Sequence, residues 1–82
     1  MTAPVRVALE GFERGDVTVV DLQAVVVAAA GALDNSNTEL VQALGVLGED
    51  LEEIRFAMPV DDQPAAVRER STEVRALLDA ER

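Results

Sequence analysis

The chain contains no cysteine, histidine, tryptophan or tyrosine, and Phe12 and Phe56 are its only aromatic residues. Without a thiol or an imidazole there is no disulfide framework, no Cys or His zinc site, and no Ser-His or Cys-His nucleophile pair. So few rings also leave no platform on which single-stranded nucleic acid stacks. Lysine is absent as well: all seven basic residues are arginine, a bias that points to a GC-rich genome and carries no functional weight. Sixteen acidic residues stand against them, a net charge of -9. That charge repels phosphate backbones and anionic membranes, so neither nucleic acid nor membrane is expected as a partner, and a basic protein is favoured.

Long hydrophobic runs are missing too. The longest stretch without a formal charge covers the twelve residues 22–33, short of the ~20 that a membrane-spanning helix needs. Residues 1–4 are followed at once by Arg6 and Glu10, which is not the basic-then-apolar order of a secretory leader, so a cytoplasmic location is expected. With 82 residues, 49% of them apolar, there is room for one core and no second. The expectation is an all-α fold, a small three- to four-helix bundle forming a single domain over residues 1–82.

Local signals place the helices. Thr18-Val19-Val20-Asp21 is a capping box, with Val17 and Leu22 at the positions of a hydrophobic staple. Gly15 just upstream is suited to closing the preceding helix. The same grammar recurs at Ser36-Asn37-Thr38-Glu39, which makes Ser36 a helix cap rather than a nucleophile. Four helices are predicted, over residues 4–14, 19–33, 37–57 and 63–80. Pro4 and Pro64 fall in first turns, Pro59 stops the third helix, and Asp61 or Asp62 caps the fourth. The valine-rich residues 17–27 would also suit a strand. Helix is preferred there because Leu22, Val25, Val26, Ala29 and Leu33 recur at three-and-four spacing and a lone strand has nothing to pair with.

In the third helix Leu40, Leu44, Leu47, Leu51, Ile54 and Met58 draw one apolar stripe. Val5, Ala8, Leu9 and Phe12 of the first helix and Val67, Val74, Leu77 and Leu78 of the fourth are available to cover it. The second helix, apolar nearly all round, is expected at the centre. Gly45 and Gly48 each cost the third helix about 1 kcal/mol relative to alanine, which predicts close packing of another helix against them.

Charge is concentrated in the same segment. Residues 34–62 carry eight acids and Arg55 alone, seven of the nine excess negative charges. A helical wheel places Gln42, Val46, Glu49, Glu53 and Phe56 opposite the core stripe, with Asp50 at their flank. This pattern suits a protein-docking face: Glu49, Asp50 and Glu53 to pair with cations of a partner, Gln42 at the periphery, and Val46 and Phe56 as apolar anchors. The competing account is a merely solvated face, in which Glu52 meets Arg55 at i,i+3 and Phe56 folds back under a neighbouring helix.

No catalytic or metal motif is complete. Residues 34–38 offer oxygen donors as an EF-hand loop does, but Glu39 stands where the loop needs glycine and Gly45 where it needs a bidentate glutamate. The carboxylates of Glu49, Asp50, Glu52 and Glu53 hold divalent ions only as counterions. They lack the desolvated cleft that acid-base work requires, so neither an enzyme nor a cofactor is expected. Size, acidity, four helices and a serine before Thr38-Glu39-Leu40-Val41-Gln42-Ala43-Leu44 resemble an acyl carrier protein, which implies phosphopantetheine on Ser36. The carrier motif Asp-Ser-Leu is replaced here by Asn35-Ser36-Asn37. The functional expectation is therefore a small acidic binding module of the inhibitor, immunity or antitoxin type that masks a basic surface. A self-associating structural or adaptor bundle, a homo-oligomer, is the alternative, and an acyl-carrier-like protein a minor one.

Overall fold

The first helix, α1 (Ala3–Arg14), buries Val5, Ala8 and Leu9 on one face, the i, i+3, i+4 spacing of an amphipathic helix. A computed structural model describes residues 3–32 and 38–80 of the chain. Gly15 ends α1 in the left-handed region, φ +84°. The Gly15 amide donates to the Phe12 carbonyl at 3.1 Å and the Asp16 amide to the Gly11 carbonyl at 2.8 Å. These are the paired bonds of a Schellman closure, and glycine adopts the required φ without steric cost.

The second helix, α2 (Val19–Ala32), starts where the capping signal stands: Thr18 Oγ1 accepts the Asp21 amide at 3.2 Å. Residues 17–27 thus contain no strand, and α2 buries Val19, Leu22 and Val26. The third helix is α3 (Thr38–Ala57). Ser36 and Asn37 of the second capping box, Ser36 being also the serine of the carrier resemblance, and most of the EF-hand-like stretch lie outside the described residues. Beyond Pro59, a single 3₁₀ turn (Val60–Asp62) leads into α4 (Gln63–Arg70) and α5 (Thr72–Ala80).

The described residues form five α-helices and no strand. The all-α expectation holds, while the three- to four-helix bundle is corrected: the continuous rod expected over residues 63–80 is divided at Ser71. The cause is local. Ser71 Oγ donates to the Arg68 carbonyl at 3.3 Å, and Thr72 Oγ1 lies 3.2 and 3.0 Å from the carbonyls of Arg68 and Glu69, to which it donates. Two consecutive hydroxyls draw on carbonyls of the same turn, and Ser71 leaves helical geometry there (φ -89°, ψ 0°). The fully buried Ser71 hydroxyl also accepts Arg75 Nε at 3.0 Å, so it is satisfied. Asp62 stands at the N-cap of α4 but its carboxylate makes no capping bond, because its backbone (φ -92°, ψ -13°) is already in the helical region after the 3₁₀ turn.

The centre of the molecule is α3, not α2. Leu40, Leu44, Leu47, Leu51 and Ile54 are all essentially inaccessible, and α3 packs against α2 on one side and α4 and α5 on the other. Ala43 and Gly48, beside the stripe, are buried as well, so α3 has two usable sides. By contrast α2 leaves Val20 and Val27 exposed. An even spread of aliphatic residues around a helix does not ensure that every side finds a neighbour.

The two interior glycines of α3 differ. A Cβ on Gly48 would stand 3.3 Å from Val27 Cγ2, a close approach to α2, whereas a Cβ on Gly45 would meet nothing within 4 Å. In α1, a Cβ on Gly11 would stand 2.6 Å from Val17 Cγ2, a branched side chain with little rotational freedom. Gly45→Ala is therefore expected to stabilise the fold by about 0.5–1 kcal/mol. Gly11→Ala is expected to destabilise it by about 1–3 kcal/mol despite the better helix former. Urea denaturation of both variants checks the opposite signs.

Candidate functional site

The packing of α3 determines what is left outside. Its apolar stripe is consumed by the core, so the residues half a turn away face outward: Gln42, Val46, Glu49, Glu53 and Phe56 are all exposed. Phe56 is 72% accessible and Val46 56%. The larger ring does not fold back under a neighbouring helix. Instead the Arg55 guanidinium lies over it, 4.7 Å from the ring centroid, a cation-π contact that leaves much of the ring available. Arg55 does not pair with Glu52, so the i,i+3 ion pair of the solvated-face account is not formed.

Asp50 separates from the other five. Its side chain is only 19% accessible and accepts Arg70 Nη1 of α4 at 3.0 Å, which places it at the junction of α3 and α4. The wheel position had put it at the edge of the outer face; the approach of α4 converts that edge into an interhelical contact. Asp50 is thus a structural ion-pair residue and leaves the candidate docking set.

Elsewhere the arginines are engaged. Arg6 meets Asp79 at 3.1 Å and the Leu78 carbonyl at 2.9 Å, Arg14 meets Asp16 at 3.1 Å, and Arg75 meets Glu13 at 3.0 Å, with Arg68 4.0 Å from the same carboxylate. Three of these contacts, Arg6 to Asp79, Arg6 to the Leu78 carbonyl and Arg75 to Glu13, tie α1 to α5. Among the described residues no cation lies within 4.0 Å of Glu49, Glu52 or Glu53. The outer face of α3 therefore combines uncompensated negative charge with two exposed apolar side chains.

No three acidic side chains converge to hold a metal ion among the described residues. Acids at successive positions splay around the helix, since only residues three or four apart share a face. The apolar character of α2 was legible in the sequence, but which of its valines stay uncovered was not: Val20 and Val27 lie exposed, because valine signals burial equally for either face of a helix. No protein family, curated protein or solved structure matches this chain.

Residues of the outer face are expected to be dispensable for folding. Phe56→Ala and Glu53→Gln should each change stability by no more than about 0.5 kcal/mol, while Leu51→Ala on the opposite side should cost about 2–5 kcal/mol. Asp50→Asn should cost about 0.2–1 kcal/mol, a difference that shrinks as salt is added. Chemical denaturation at low and high ionic strength distinguishes the three behaviours.

Proposed function

We propose that this chain is a small acidic protein-binding module that docks through the outer face of α3 onto a basic surface of a partner protein and masks it. The observation that carries this reading is the exposed Phe56 ring on the same helix face as Glu49 and Glu53, neither of which has a cation within 4.0 Å among the described residues. A large apolar side chain held in water adds little to the stability of the monomer beyond its contact with Arg55, and exposed aromatic side chains are enriched at protein interfaces. Glu49 and Glu53 add long-range attraction that speeds encounter with a cationic surface and excludes anionic ones. Masking of a basic site is the mode of action of inhibitor, immunity and antitoxin proteins; the assignment to that class rests on charge, size and analogy.

A second reading, a self-associating adaptor bundle, is favoured by the uncovered side of α2, where Val20 and Val27 are open. The two readings differ in what stabilises the fold. Under self-association the thermal midpoint rises with protein concentration, and sedimentation reports an oligomer.

The docking reading is tested with the protein as bait: a captured partner is identified, purified and titrated calorimetrically. The expected partner is basic and its affinity falls with added salt. Phe56→Ala should weaken binding by roughly 2 kcal/mol, about thirtyfold in Kd. Joint charge reversal at Glu49 and Glu53 should abolish it while the circular dichroism spectrum is unchanged. Equal affinity for the wild-type chain and both variants would overturn the docking face.

A further inference from the structure

Gly45 is the one interior glycine of α3 whose presence the packing does not explain. Gly48 is needed because Val27 approaches it, but the space where a Gly45 side chain would stand is empty. That space belongs to a groove of about 250 Å³ between α2 and α3. It is open to solvent along its length, so a side chain can enter it from outside. Val27 and Ala30 are apolar lining residues on α2, and Gly45, Gly48, Glu49 and Glu52 line it from α3. A side chain larger than hydrogen at Gly45 would intrude into it.

We infer that this groove receives an arginine side chain of the basic partner. The inference rests on the docking reading above and names the chemistry of one contact within it. An arginine stem is aliphatic and lies favourably along Val27 and Ala30, while its head remains at the polar edge. Glu49 and Glu52 are three residues apart and therefore neighbours on the helix surface. A planar guanidinium can donate to both carboxylates at once, which a compact ammonium does less well. No cation among the described residues lies within 4.0 Å of either carboxylate: Arg55, which borders the neighbouring surface of Gln23 and Val27, is stacked on Phe56. A second copy of the chain is disfavoured as the occupant, because it brings a net charge of -9 toward another -9.

The test uses isotopically labelled protein titrated with a short helical peptide of alanine, leucine and arginine, followed by amide chemical shifts. Binding should move the amides of Gly45, Gly48 and Val27. Replacing the peptide's arginines with citrulline, which keeps the shape and removes the charge, should weaken binding about tenfold or more. Gly45→Leu should weaken it to a similar degree, and its dispersed spectrum will show that the variant folds. If Gly45→Leu binds as well as wild type while Phe56→Ala does not, the groove is not the arginine site and the docking face stands. If the peptide binds neither groove nor outer face at low salt, both ideas fall. Gly45 shifts that depend on protein concentration without peptide would assign the groove to a second copy and overturn the arginine assignment.

Discussion

One helix has to serve every other. A chain of this length forms a single core, and the five large side chains from Leu40 to Ile54 along α3 are its axis. Once α2 covers one side of that axis and the α4–α5 arm the other, α3 retains a single strip of free surface. Whatever the sequence writes opposite the stripe is displayed there. The strip contains Glu49, Glu53, Val46 and Phe56, so the requirement for one shared core is also what concentrates charge and apolar surface on a single outward face.

Electrostatics follow the same division. The α4–α5 arm brings Arg68, Arg70 and Arg75 back toward the rest of the chain, where they meet Glu13 of α1 and Asp50 of α3. Exposed pairs of this kind add only about 0.2–1 kcal/mol each. Their larger consequence is on the distribution of charge: the arginines are used at interhelical junctions, and the acids in the outer half of α3 remain uncompensated. The buried Ser71 hydroxyl supports this arrangement. It accepts from Arg75 Nε, and the same arginine meets Glu13, so one polar residue at the α4–α5 junction supports the contact with α1.

The glycines reveal how local cost relates to tertiary need. Gly15 is required by a positive φ and Gly11 by the proximity of Val17. Gly48 is matched by Val27 across the α2–α3 contact. For Gly45 no such match exists among the described residues, and it lines the groove between α2 and α3.

Signals that act within a few residues were legible in the sequence, because their physics is local. The Thr18 cap, the closure at Gly15, the stop at Pro59 and the period of the α3 stripe depend on neighbouring backbone groups and on helical spacing alone. The outward placement of Gln42, Val46, Glu49, Glu53 and Phe56 came from the same spacing. Which helix lies at the centre, the capture of Asp50 by Arg70 and the open side of α2 were decided by the tertiary structure. Each depends on which helix approaches which face, and a residue's position on a wheel gives its direction without saying whether anything stands there.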